Sequence, residues 1–188
     1  VGTTGVKLGE QAGSVGTLDL AGGTMTVAGA GFYNANTAGS LGFVNIGIGG
    51  GAPTLIVNGA NFETANAGTG VVRMASGTLY LESNNLIIQQ GTESVGSFIL
   101  TNGVIDLRGT SGTRNNDDIN FNGGTGLFEI LGGSVYASRD VNMSSGTAST
   151  STLTIAGGDL YIRRLLTTRS TTDGSDTINL ESGSLVNY

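Results

Sequence analysis

Seven times along this chain one ten-residue phrase returns: apolar, any, apolar, any, small, Gly, any, apolar, any, apolar. It is cleanest at Leu153 to Ile162 (L-T-I-A-G-G-D-L-Y-I) and at Leu18 to Val27 (L-D-L-A-G-G-T-M-T-V). Looser copies start at Val72, Phe98, Phe128 and Ile178, and a distorted one, L-I-V-N-G-A-N-F, starts at Leu55. Period-two alternation on either side of a Gly reads as two short strands joined by a tight bend, and a phrase that recurs along the whole chain reads as a repeat architecture.

Marking each copy by its second small residue gives Gly23, Gly59, Gly77, Gly103, Gly133, Gly158 and Gly183, so loops of variable length interrupt a regular frame. A third apolar pair recurs between copies: Val6 and Leu8, Val44 and Ile46, Leu86 and Ile88, Ile119 and Phe121, Val141 and Met143, and a weaker Leu166 and Thr168. Three strands per repeat make one coil. The expected fold is therefore all-β, a parallel β-helix or β-solenoid of about seven coils of three short strands, one domain over residues 1–188 and about 35 Å tall at the usual strand spacing.

Inward positions then form columns. One holds Leu18, Leu55, Val72, Phe98, Phe128, Leu153 and Ile178; a second holds Leu20, Met74, Leu100, Ile130, Ile155 and Leu180; a third holds Met25, Leu79, Ile105, Val135, Leu160 and Leu185. Gly59 to Gly77 is too short for a comfortable third strand, and Ala28 to Gly42 and Thr110 to Asp118 read as loop insertions.

Composition narrows the chemistry. The chain has no Cys, which removes disulfides, zinc-thiolate sites and thiol nucleophiles, and no His, which removes imidazole bases and His-ligated metals. With a net charge of −6 and no basic run longer than Arg163-Arg164, nothing resembles a nucleic-acid surface. No apolar run approaches the 18 or so residues of a membrane span, so no membrane insertion is expected. The chain begins at Val1 without an initiator Met or an apolar leader, the pattern expected of a processed mature protein or a segment of a longer one.

The phrase S-T-L-T-I-A-G-G-D-L-Y-I, preceded by S-S-G-T-A-S-T, resembles the L-T-I-x-G-G-x-L-x-V repeats of bacterial secreted proteins, among them autotransporter passenger domains and surface proteins with C-terminal sorting signals. The resemblance runs from Val6 to Asn187 and implies a right-handed parallel β-helix outside the cell.

Carboxylate pairs are the residues to test for enzymatic work in such a fold. Asp117-Asp118 and Asp173 with Asp176 stand among Asn, Ser and Gly, where Asp serves turns, so both read as solvated turns with no catalytic residue, metal or cofactor assigned. A structural Ca²⁺ in the acidic loops is a minor reading, since Gly123 to Leu131 echoes a calcium-binding nonapeptide but puts Phe128 where its Asp belongs. The third position after the marker Gly points outward and carries Thr26, Tyr80, Asp106, Tyr136, Tyr161 and Val186. Tyr80, Tyr136 and Tyr161 in one column read as packed strand tyrosines, a lateral contact or a platform for extracellular polysaccharide.

Neither end of the sequence carries an amphipathic helix or a polar cap, and an uncapped solenoid offers strand edges and core side chains to another chain. The expectation is a non-enzymatic structural subunit of an extracellular fibre or biofilm matrix. It forms a head-to-tail homopolymer in which the coil near Val6 and Leu8 docks on Ile178, Leu180, Leu185 and Tyr188. Two alternatives stay open: an adhesive or carbohydrate-binding module of a larger surface protein, and a polysaccharide lyase or hydrolase fragment.

Overall fold

A computed structural model describes residues 5–82, 84–109, 117–143, 149–166 and 174–188. Thr168, Asp173 and most of the linker at 144–150 lie outside them. Every regular element among the described residues is a strand, and the strands form three parallel sheets of seven.

The first half of the phrase builds the long sheet, whose six-residue strands are Val15–Leu20, Leu41–Ile46, Thr69–Met74, Val95–Leu100, Thr125–Ile130, Thr150–Ile155 and Ser175–Leu180. Its second half builds the tyrosine sheet: Thr24–Ala28, Thr54–Asn58, Thr78–Leu81, Val104–Asp106, Ser134–Tyr136, Asp159–Ile162 and Ser184–Asn187. The short sheet closes each coil with Val6–Lys7, Phe32–Tyr33, Phe62–Glu63, Leu86–Gln89, Ile119–Phe121, Asp140–Asn142 and Arg164–Leu166. Successive long strands start at positions 15, 41, 69, 95, 125, 150 and 175, so a turn takes 25 to 30 residues.

The second coil differs from the sequence expectation. Val44 and Ile46 belong to the long sheet, opposite Leu18 and Leu20, and Leu55 belongs to the tyrosine sheet, opposite Met25. The phrase of this coil is spread over Leu41 to Asn58 because residues 47–53 lengthen the bend, which hides it from a ten-residue template. Of the expected loop 110–118, residues 110–116 lie outside the described residues. A third strand also lies within the expected loop 28–42, at Phe32–Tyr33, and within 59–77, expected to be too short for one, at Phe62–Glu63. Two residues suffice there, because the neighbouring coils supply the pairing. In the last coil Leu165, not Leu166, pairs with Val141.

The core is the set of inward columns. Val44, Val72, Phe98, Phe128 and Leu153 are fully buried in one; Ile46, Leu100, Ile130 and Ile155 are fully buried in the next. Burial of each such side chain contributes roughly 1.5–3 kcal/mol, and it is realised only when a coil lies on both sides. In the first and last of the described coils the columns are less covered. Leu18 and Leu20 are only half-buried, and Leu180, expected in the buried column, keeps its register but is 56% exposed.

A column of glycines lies beside these. Gly16, Gly42, Gly70, Gly96 and Gly126 stack in register at the second position of the long strands, where alternation points the side chain inward, and Ser151 and Asp176 continue the column. A Cβ at Gly70 or Gly96 would overlap the carbonyl oxygen of Thr64 or Ile88, where the chain leaves the short sheet. At Gly42 and Gly126 the space is taken by the side-chain amides of Asn34 and Gln89, both fully buried. The missing side chains let the corner between short and long sheets close.

Candidate functional site

Three surfaces gather the chemistry of this chain. The first is the outer column of the tyrosine sheet, whose register is Thr26, Ile56, Tyr80, Asp106, Tyr136, Tyr161 and Val186. Strand spacing brings Tyr136 and Tyr161 into parallel stacking, with ring centroids 4.7 Å apart. Arg108 covers the other side of the stack, its guanidinium carbon 4.1 Å from the Tyr136 ring centre, and Asp106 holds it by accepting from Nε at 2.8 Å and Nη2 at 2.7 Å. Tyr188 closes the upper end, edge-on to Tyr161 at 6.1 Å, and its hydroxyl donates to the Ala137 carbonyl at 2.9 Å. Tyr188 thus lies against the outer face of the tyrosine sheet. Tyr80 is separated from Tyr136 by the Asp106 rung and stands outside this ladder. Arg108 therefore covers one face of Tyr136, Tyr136 and Tyr161 cover each other, and the Tyr188 ring stands nearly perpendicular to that of Tyr161.

The second surface corrects the reading of Asp117 and Asp118 as solvated turn residues. Both are 5% exposed. Asp118, Asp140 and Arg164 occupy one column at the start of the short strands, as the registers of the residues beside them show. Arg139 donates to both carboxylate oxygens of Asp118, through Nε at 2.9 Å and through Nη2, while Asn142 Nδ2 and the Asp140 amide donate to the same carboxylate at 3.1 Å. One coil further, Arg164 grips Asp140 at 3.0 and 2.6 Å, holding that carboxyl below the usual range. Asp117 differs: burial, and then the charge of Asp118, push its carboxyl up to about 6, and its Oδ2 is buried with no partner. Glu63, at the outer position of its own short strand, is pushed by burial to about 7 and also keeps a buried oxygen without a partner. Arginine clamps on Asp118 and Asp140 suit structure better than acid–base work. Among the described residues no group of three or more acidic side chains is placed to hold a metal ion.

The third surface is the pair of end faces. Among the described residues, the long strand Val15–Leu20 at one end pairs only with Leu41–Ile46, and Ser175–Leu180 at the other pairs only with Thr150–Ile155. Each leaves a row of backbone donors and acceptors open. Val6, Leu8, Leu18, Leu20 and Met25 lie partly exposed against the core at the first end. Ile178 (38%), Leu180 (56%) and Leu185 (37%) are exposed at the second. The second end is the more polar, because Asp176 occupies the glycine column and Asn187 stands above Ile162, donating to the Arg163 carbonyl at 2.6 Å.

Three parallel sheets wound from one repeated coil define a β-solenoid repeat protein. Beyond that class, comparison with protein-family models, with curated proteins and with solved structures finds no match.

Proposed function

We propose that this chain is a non-enzymatic structural element of an extracellular fibre or surface matrix, lengthened by stacking coil on coil through its end faces. One observation carries the reading: the two end faces present the same columns in the same register. Ile178, Leu180 and Leu185 at one end stand in the columns of Leu18, Leu20 and Met25 at the other. A second copy set on the end therefore continues every apolar column, pairs the open strand edges and meets the glycine column with Gly16 beneath Asp176. A head-to-tail contact of this kind does not close, so it propagates. The likeness of the repeat phrase to secreted bacterial repeat proteins supports a place outside the cell.

The test is sedimentation over a concentration series, comparing the chain with a Leu180→Asp variant. Stacking predicts growth with concentration for the parent and its loss in the variant, where a carboxylate would be buried in the junction. A parent that remains one size at high concentration, or a variant that grows equally well, overturns the proposal.

A further inference from the structure

The outer face of the long sheet is independent of the ends and of the tyrosine ladder. Seven strands in register put three outward positions on each rung: Val15, Thr17, Asp19; Leu41, Phe43, Asn45; Thr69, Val71, Arg73; Val95, Ser97, Ile99; Thr125, Leu127, Glu129; Thr150, Thr152, Thr154; Ser175, Thr177, Asn179. Only Asp19, Arg73 and Glu129 of these are charged, in a chain of net charge −6, and Val15, Leu41 and Val95 are 62%, 40% and 42% exposed. Arg73 and Glu129 share one column but are separated by Ile99, and neither makes an ion pair among the described residues.

We infer that this face pairs with the same face of a second copy, about a two-fold axis running along the central strand Val95–Leu100, so that the two rods lie antiparallel. That operation keeps each residue's place along its strand and inverts the order of the rungs. It sets Arg73 against Glu129 twice, Val71 against Leu127, Asp19 against Asn179, and Val95, Ser97 and Ile99 against themselves. The face thus matches itself in charge: each of its two central charges meets its opposite. The other in-plane axis, parallel to the rod, sets Arg73 against Thr69 and Glu129 against Thr125, leaving both charges unpaired at a desolvated surface. Extent favours pairing as well. Strands of six residues in a stack of seven span about 20 by 34 Å, so two such faces bury about 1,300 Å², within the range of specific interfaces. A contact of this kind is isologous and closed, unlike the end-to-end contact, and is tested separately from it.

The experiment is sedimentation velocity on the chain and on Arg73→Glu, Glu129→Arg and the double swap R73E/E129R. Each single variant sets like charges against each other twice and should weaken the dimer at least tenfold; the swap should restore it. Because the chain has no Cys, Ser97→Cys and Val15→Cys add a unique thiol each for a short bismaleimide linker. Ser97→Cys should link two copies, since it faces itself. Val15→Cys should not, since its counterpart lies six rungs away. Leu180→Asp should leave the lateral dimer intact. A parent with no dimer, a swap that fails to restore it, or linkage through Val15→Cys equal to that through Ser97→Cys overturns the inference.

Discussion

Replacing Gly96 by Ala separates two accounts of the glycine column by the sign of the effect. If Gly96 were only a tolerated strand residue, adding a methyl group would stabilise the chain by about 0.4–1 kcal/mol, because the unfolded state loses freedom. The structure predicts the opposite. A Cβ there overlaps the Ile88 carbonyl oxygen, a backbone atom at an irregularity between Ile87 and Gln89, which pair with Asn120 and Phe121 of the next coil. Relief requires the corner to move, and overpacking of this kind costs about 1–3 kcal/mol, and more when backbone must shift. A net loss of about 2 kcal/mol is expected, which for a chain of this length lowers Tm by about 4–8 °C. Gly126→Ala should cost less, since the obstructing atoms belong to the Gln89 side chain. Gly22→Ala should be neutral or stabilising, because no atom lies within 4 Å of its added Cβ. Circular dichroism during urea and thermal unfolding gives all three values. A Gly96→Ala variant as stable as the parent would refute the steric reading of the column.

Ile130→Ala, in the middle of a fully buried column, should cost about 2–5 kcal/mol in urea unfolding, whereas Thr177→Ala on the outer face should cost under 0.5 kcal/mol. Glu63 sets a pH dependence. Its carboxyl is raised from 4.5 to about 7, so the native state holds the proton more tightly, and its full stabilisation below pH 4.5 is lost as pH rises through 7, by an amount on the order of 3 kcal/mol. Asp117, raised from 3.8 to about 6, acts in the same direction over pH 4 to 6, and Glu63→Gln should flatten the upper part of the profile measured by unfolding between pH 4 and 8. Arg139→Met should cost about 3 kcal/mol at pH 7, because it leaves the Asp118 carboxylate buried without its cation; an unchanged urea midpoint would show the clamp to be idle.

The fold was legible because the phrase couples two periods: alternation of two within each strand and a Gly-marked bend between strands. Five of the seven copies also place the long sheet correctly over Leu18, Val72, Phe98, Phe128 and Leu153, and the Ile178 copy keeps register while lying open at the end. The second coil was not legible, since residues 47–53 stretch its bend and Leu55 to Phe62 imitates a phrase in the wrong frame. Short strands such as Phe62–Glu63 carry too few residues to show any period; pairing with Phe32–Tyr33 and Leu86–Ile87 and the stacking of Phe62 on Phe32, with ring centroids 4.8 Å apart, define this one. The tyrosine column was visible as an outward position, but its ladder was not. Arg108 and Tyr188 lie outside the repeat phrase and reach Tyr136 and Tyr161 through corners whose path a sequence pattern does not encode. The burial of Asp118 is hidden for a related reason: its partners Arg139 and Asn142 come from the next coil, and Asn neighbours in sequence mimic a solvated turn. The glycine column had a signal, a Gly after the first outward residue of five long strands, which becomes visible once the coils are aligned.

Electron microscopy of the purified chain at high concentration reads the proposed end-to-end stacking itself, since coil-on-coil contact would fix the axial geometry of any assembly. End-to-end stacking would give filaments with a strand repeat of about 4.8 Å along the axis and a subunit rise of about 35 Å, the height of seven rungs. Particles that stop at one or two rods, with no axial growth, would contradict it.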